Sequence, residues 1–479
     1  MPVPNPLHHA LAHAGAFSRR AALISGGAGA AALAANSALG QATPSATPLG
    51  TPSATPQASP VAATADPVTS SLPQVFKYEN FQFDFLGLLG AIYERGADAG
   101  EIFAAAHLVE DGNFDSWFAT WMALGDRINA IGANSDAAGH RQSAAEAFLR
   151  ASSYYSVAQT YSLGTSDPSQ WHAAWETSRD AFDAFITRID NPVEMVEIPY
   201  EDTTLPGYVV LQDDSGEPRP WLIANNGSDG QMSNMWVMAA APALRRGYNV
   251  LLFDGPGQGA ALFRQQLYFR YDWEAVITPV VDFLFERPDV DQSRVGILGV
   301  SQAGYWVPRA LAFEHRIAAA VIDPGVYDVM TSWTTDLPAD ALDGLLHTTG
   351  EEQAAIRKDI DASVAQVMEN PYAKYTLEWR MYPFGKSSFS DTLLLLQDYN
   401  LEGVIEQVTT PLLISAPDGE SFWPGQSQEV YDHATGDKVL VPFLTADGAD
   451  LHCEPKANAL RGQVFFDWMD EVFGREVTE

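Results

Sequence analysis

The chain has 479 residues, 46% of them apolar, and 61 acidic against 27 basic side chains give a net charge of −34. That supplies a core for one large domain or two ordinary ones, while the acidity repels phosphate, excludes a nucleic-acid-binding role and weakens attraction to anionic membranes. The single cysteine, Cys453, excludes a disulfide scaffold and a thiolate zinc cluster, and no apolar run reaches the roughly 18 residues of a membrane-spanning helix.

Residues 1–41 contain no acid, and their basic side chains are the adjacent Arg19 and Arg20, followed by a weakly apolar stretch rich in Ala and Gly. This pattern predicts an export signal of the twin-arginine type and hence an extracytoplasmic protein. From Ala42 to about residue 70 the chain is almost wholly Thr, Pro, Ser and Ala, with Pro44, Pro48, Pro52, Pro56 and Pro60 at every fourth position. Such a segment has neither helix potential nor core material and predicts an extended linker.

Residues 71–191 read as a helical N-terminal domain. Asp98–His107, Phe114–Ile131 and Ala137–Tyr161 carry apolar residues at three-to-four spacing. Trp117 and Trp121 stand one turn apart in an aromatic stripe whose simplest reading is core packing.

Residues 192–479 change texture. Short β-rich runs occur at Val193–Pro199, Gly207–Leu211, Trp221–Ala224, Asn249–Phe253, Val295–Leu298, Ala318–Ile322, Leu412–Ser415 and Val439–Phe443. Several are continuously apolar, as strands covered on both faces are, and helical segments such as Trp273–Phe285 separate many of them. The expectation is an α/β fold with an eight-stranded, mostly parallel sheet. The stretch from about Tyr327 to Leu401 is expected to form a helical insertion between strands six and seven, near the carboxyl edge of the sheet.

The fifth strand runs into Gly299-Val300-Ser301-Gln302-Ala303-Gly304, and Tyr305–Phe313 reads as a helix. A serine on a sharp strand–turn–helix elbow presents its hydroxyl as a nucleophile, and small neighbours are needed because strand and helix crowd the turn. Ala303 stands where a second glycine is usual, with Gly304 next. The hydroxyl needs a base, and His452 is the histidine placed just past the eighth strand. Its carboxylate partner belongs just after the seventh strand, where Asp418 and Glu420 compete. Asp418 is the commoner residue type, whereas Glu420, nine residues past Pro411 and four before Pro424, has the better position and is preferred. The order Ser, acid, His is that of an α/β-hydrolase. The oxyanion donors are expected to be the backbone N–H groups of Gln302 and of Ser228, the latter on the loop Asn225–Gly230. Asp254-Gly255-Pro256-Gly257-Gln258-Gly259 lacks the lysine of a phosphate-binding loop and reads as a tight turn behind the site. No metal-ligand spacing is present.

The helical front region, Asp254–Gly259, Gly299–Gly304, Phe422-Trp423-Pro424-Gly425-Gln426 and Gly448-Ala449-Asp450-Leu451-His452-Cys453-Glu454-Pro455 together resemble one α/β-hydrolase group. That group contains the carbon–carbon bond hydrolase of 2,6-dihydroxypseudooxynicotine and fungal pigment hydrolases that shorten polyketides. The resemblance spans about Phe76 to Phe473 and implies a helical domain that covers the catalytic one and helps to build the pocket. On that implication Trp117, Trp121, Arg150, Tyr154 and Tyr155 are pocket candidates.

The functional expectation is therefore a secreted serine hydrolase, without cofactor or metal, acting on a small-molecule acyl or β-diketone-like substrate. Ester and carbon–carbon cleavage share the machinery; resemblance favours the ketone and export the ester. The rivals are a peptidase or amidase and a non-catalytic binding protein on the same scaffold. The sequence is silent on oligomeric state and leaves a homodimer open.

Overall fold

The computed structural model describes residues 74–335 and 337–474; the export-signal and linker readings for residues 1–70 lie outside them. The described residues open with five α-helices: α1 (Glu79–Ala91), α2 (Ala99–Ala106), α3 (Phe114–Ala137), α4 (Arg141–Thr160) and α5 (Gln170–Ile186). Asn113 starts α3 by accepting the Ser116 N–H on its side chain at 3.1 Å, satisfying one of the free donors of the first turn. The helix buries Phe114, Trp117, Trp121, Leu124 and Ile128, a stripe at three-to-four spacing. Gly139, with φ +80°, makes the turn into α4, so the helix expected over Ala137–Tyr161 starts at Arg141, and Ala137 ends α3. Helix α4 packs between α3 and α5 and is buried on almost every side from Ala144 to Gln159.

Eight strands follow: β1 (Val193–Tyr200), β2 (Thr203–Val210), β3 (Arg219–Asn225), β4 (Asn249–Phe253), β5 (Val290–Val300), β6 (Ala319–Asp323), β7 (Leu412–Pro417) and β8 (Lys438–Phe443). They form one sheet in the order β1-β2-β4-β3-β5-β6-β7-β8. Strand β2 is antiparallel to both neighbours, and every pairing from β4 to β8 is parallel. This is the expected mostly parallel α/β-hydrolase sheet.

The continuous apolar runs have their reason in burial of both sheet faces. Trp221, Ile223, Ile297 and Ile322 pack with α6 (Glu274–Phe285) and α7 (Ala303–Leu311). Their strand neighbours Leu222, Leu298 and Val321 face the other way and join a second core with Phe85, Trp117 and Tyr155 of the front helices. Between β6 and β7 the chain departs into α8 (Ala339–His347), α9 (Gly350–Val367), α10 (Pro371–Met381) and α11 (Phe389–Leu396). The departure is closed at its neck by an Asp328–Asn400 bridge, with Leu401 N–H donating to Tyr327 O at 2.8 Å, so the insertion begins and ends where the sequence places it. Helix α12 (Gln426–His433) connects β7 to β8, and α13 (Asn458–Val472) closes the fold. No helix among the described residues is long and apolar enough to cross a membrane.

The front helices are tied to the sheet by a buried ion pair. Arg179 of α5 donates to Asp254, just after β4, at 2.6 Å and to the Tyr208 hydroxyl of β2 at 2.6 Å; its side chain is 6% exposed and that of Asp254 2%. Removing one partner strands the other charge without water. Arg179→Ala is therefore expected to cost about 3–5 kcal/mol of stability in a denaturant titration; a loss below about 1 kcal/mol, the range of a surface pair, would contradict this role.

Candidate active site

Five loops at the carboxyl edge of the sheet converge on one cavity of about 320 Å³, as loops do at that edge of parallel sheets. The loop after β5 carries Ser301 at φ +59°, in the left-handed region that a serine adopts only where its surroundings hold it. Its N–H is tied to Asp323 O at the end of β6, at 2.6 Å. The crowding expected at this elbow is real but falls one residue late after the serine. A Cβ on Gly299 would lie 2.8 Å from Ala303 O, as expected before the serine, whereas after it Ala303 is accommodated in the core and a Cβ on Gly304 would lie 1.8 Å from Pro324 O, so the second glycine the turn requires is Gly304.

The Ser301 Oγ lies 2.9 Å from His452 Nε2, and His452 Nδ1 lies 2.7 Å from Glu420 Oε2. With Glu420 ionised, Nδ1 must carry the proton it donates, which leaves Nε2 as the acceptor for the serine hydroxyl. The other oxygen of Glu420, Oε1, accepts the N–H groups of Phe422 and Trp423 at 2.7 and 3.1 Å. Burial alone would raise the Glu420 pKa, but the His452 charge and these hydrogen bonds outweigh it and hold the carboxyl below the usual glutamate value. Burial likewise opposes the charged form of His452, yet Glu420, with Asp323 and Asp229 behind it, holds the imidazole above its ordinary pKa. The rings of Phe422 and Trp423 cover the imidazole at centroid distances of 4.6 and 5.8 Å.

Of the two competing acids, the structure brings Glu420 to His452 and not Asp418. Asp418 is exposed and accepts the hydroxyl and the N–H of Thr445 at 2.9 and 3.1 Å, tying the loop after β7 to the loop after β8.

Gln302 sits at the N-terminus of α7, where backbone N–H groups point out of the helix unpaired. The second oxyanion candidate, Ser228, is oriented by the Asp254–Gly259 loop, which does more than turn the chain. Gln258 donates from Nε2 to Asn226 O at 2.7 Å and to Gly227 O at 2.8 Å. Within a trans peptide C=O and N–H point in opposite directions, so fixing the Gly227 carbonyl on Gln258 turns the Ser228 N–H away from it. Gly227 itself abuts the serine: a Cβ there would lie 2.7 Å from Ser301 Cβ and 2.8 Å from Val300 O. Gly227→Ala is accordingly expected to displace the serine or the donor loop and lower kcat/KM by about 100-fold, whereas activity within about threefold of the parent would remove this close contact from the account.

The five pocket candidates from the front domain lie elsewhere. Trp117 is fully buried and donates its indole N–H to Val157 O at 2.8 Å, and Trp121 is fully buried beside it. Arg150 and Tyr154 both bind Glu101 of α2, at 3.0 and 2.7 Å. Tyr155 packs over Gly125 of α3 and donates to Asp126 at 2.8 Å. These side chains hold the front helices to one another. The cavity wall from α4 is formed by Ser153, Ser156, Val157, Gln159 and Thr160 instead.

Sequence reasoning also missed the charged lining. Asp229, next to Ser228, lines the cavity and is open to that space, and the desolvation of that enclosure pushes its carboxyl above the usual range against the pull of His452 and Arg380. Arg380 of α10 lies 4.3 Å over the Trp333 ring, and burial draws it down to about 10. Asp84 of α1, bonded to the Tyr161 hydroxyl, is pushed up to about 7 by burial. No local spacing marks these residues, because three distant segments bring them together. Phe83, Trp171, Phe263, Phe269 and Trp379 supply much of the apolar wall. Among the described residues no group of three or more His, Cys, Asp or Glu is placed to hold a metal. The arrangement suits nucleophilic attack by a hydroxyl on a carbonyl of a small, partly apolar molecule.

A family model described as esterase FrsA-like matches residues 115–364. The chain is 30% identical over 420 residues to the hydrolase LUC6 of Fusarium sp, covering 84% of this chain and 98% of that one. It is 29% identical over 419 residues to the 20-hydroxy-prefusarin hydrolase FUS2 of Gibberella moniliformis, with 84% and 98% covered. The solved structure of a 2,6-dihydroxy-pseudo-oxynicotine hydrolase superposes with a TM-score of 0.63, over 81% of this chain and 97% of that one, at 19% identity, a likeness of fold.

Proposed function

The chain belongs to the FrsA-like esterase family of α/β-fold hydrolases, and from that premise we propose that it is a serine hydrolase that cleaves an ester, or a carbon–carbon bond next to a carbonyl, through Ser301, His452 and Glu420. The observation that carries this is the unbroken line of hydrogen bonds from the serine Oγ through the imidazole to the carboxylate, at 2.9 and 2.7 Å, on the wall of a cavity.

Ser301 Oγ attacks the carbonyl carbon as its proton passes to His452 Nε2, and Glu420 stabilises the imidazolium that forms. The negative charge on the former carbonyl oxygen is met by the N–H groups of Gln302 and Ser228. Collapse expels the leaving group, an alcohol oxygen or an enolate carbon, which takes the proton from His452. Water, deprotonated by His452, then attacks the acyl-serine, and Ser301 recovers its proton as the acid product leaves.

The resemblance to hydrolases of β-diketone-like compounds favours a ketone, and the relative FUS2 is named for a small molecule, 20-hydroxy-prefusarin. Export through residues 1–41 favours an extracellular acyl compound, and recovery of the chain outside the cytoplasm, without that segment, is the corresponding test. Assaying the purified chain on aryl acetates and on a 1,3-diketone separates the two chemistries. Turnover of the diketone above the ester identifies a carbon–carbon hydrolase, the reverse an esterase. Failure on both, together with no labelling by a fluorophosphonate, would leave a binding protein on a hydrolase scaffold.

A further inference from the structure

Behind the serine and the histidine lies a cluster of charge that the mechanism above does not use. Asp323, the last residue of β6, accepts from Ser415 Oγ at 2.6 Å and from Arg461 Nε at 2.6 Å. Its backbone carbonyl accepts the Ser301 N–H at 2.6 Å and the Cys453 thiol at 3.2 Å. Glu454, two residues past His452, is 0% exposed beside it. Arg461, 1% exposed, lies 3.5 Å from Glu454 through the same Nε that serves Asp323, while its Nη1 donates to Met238 O at 2.7 Å.

Neither oxygen of Glu454 receives a hydrogen bond, and the Arg461 Nε shared at 2.6 and 3.5 Å sets its carboxylate beside that of Asp323. Two carboxylates offer acceptors only, so the contact becomes a hydrogen bond when one of them carries a proton. Asp323 already accepts from a guanidinium and a hydroxyl, which favours its charged form; Glu454 has only the same guanidinium, at 3.5 Å and without a hydrogen bond. The backbone between them adds a reason for a clamp. Cys453 and Glu454 have φ +58° and +44°, two consecutive non-glycine residues in the left-handed region directly after the histidine, and such a turn persists where its surroundings fix it.

We propose that Glu454 is a positioning residue held as a neutral acid, whose O–H donates to Asp323 and pins the His452 loop to the strand end that holds Ser301. The proposal rests on the roles given above to Ser301 and His452. The charged and titratable groups around Glu454 are Asp323 from β6, Arg461 from α13, Glu420 from the loop after β7, and His452 and Cys453 of its own loop. Burial first, and then the Asp323 charge, push the Glu454 carboxyl well above its ordinary range, with Arg461 opposing. Because the unfolded chain releases this proton near the ordinary glutamate value while the folded chain keeps it, Glu454 makes the folded state progressively less stable as pH rises above that value.

The test compares the parent with Glu454→Gln, which keeps a donor facing Asp323, and Glu454→Leu, which removes it. Glu454→Leu is expected to lose about 100-fold in kcat, as a misplaced base does, with KM little changed, and Glu454→Gln to restore turnover to within about threefold of the parent. In thermal melts from about pH 5 to pH 9, Glu454→Gln is expected to gain on the parent steadily as pH rises, since it has no proton to lose. That second readout serves even if Glu454→Leu fails to fold. Melting curves of Glu454→Gln that run parallel to the parent across this range, or a Glu454→Gln variant as slow as Glu454→Leu, would overturn the proposal. The melts do not depend on catalysis, so an error in the serine assignment would show in Ser301→Ala kinetics and leave them unchanged.

Discussion

Ser301→Ala is expected to lower kcat by about 10⁶-fold, the scale seen when a triad nucleophile is removed, and to leave the fold intact. The hydroxyl is the only group the substitution deletes, and the backbone keeps its tie to Asp323 O, since that bond uses the N–H of residue 301. Residual turnover from the oxyanion donors and from binding should still exceed the rate in water. Melting temperature should hold, because alanine keeps the backbone geometry of residue 301 and its N–H bond to Asp323 O. A variant that retained more than about a tenth of parental kcat would exclude Ser301 as the attacking group.

Glu420→Gln is the second large effect, about 10⁴-fold in kcat. The amide matches the carboxylate in shape but not in charge, so it neither stabilises the imidazolium nor enforces the proton on Nδ1. The pH profile carries a separate signature. The base must be neutral to accept the serine proton, so activity rises with pH as His452 loses its proton. Since His452 is held above its ordinary value chiefly by Glu420 against burial, the acidic limb of kcat/KM should lie above about pH 6.5 in the parent. In Glu420→Gln it should move to lower pH, because burial then acts with less opposition. Asp418→Asn should leave the limb in place and kcat within about threefold, as its carboxylate serves Thr445. Exchange of these two outcomes would return the role to Asp418.

The central strands were legible because each is an apolar run too short for a helix and closed by turn residues, a pattern that burial on both faces imposes. Their lateral order was not, since β3 between β4 and β5 is a pairing that no local signal encodes. The serine could be read from its elbow and the histidine from its place after the last strand. The acid was harder. Asp418 and Glu420 stand two apart on one loop, and what separates them is distant. Gly419 N–H is fixed to Asp450 O at 2.9 Å and Asp418 N–H to Phe443 O at 3.0 Å, contacts across to the end of β8 and the loop after it. The front helices show the opposite failure. A stripe of aromatic residues at helical spacing looks the same whether it faces a cavity or another helix. Trp117, Trp121, Tyr154 and Tyr155 face helices, while the less conspicuous Ser153 and Ser156 beside them face the cavity. Gln258 lay within a motif already singled out, but its role depends on two carbonyls of another loop.

Mass mapping after reaction with a fluorophosphonate probes the central claim most directly, because the probe bonds to a hydroxyl only where a base, a carboxylate and oxyanion donors act on it together. One phosphonyl group on the peptide containing Ser301, absent from Ser301→Ala and sharply slowed in Glu420→Gln, is the predicted result. An unmodified chain, or a label on any other residue, would contradict it.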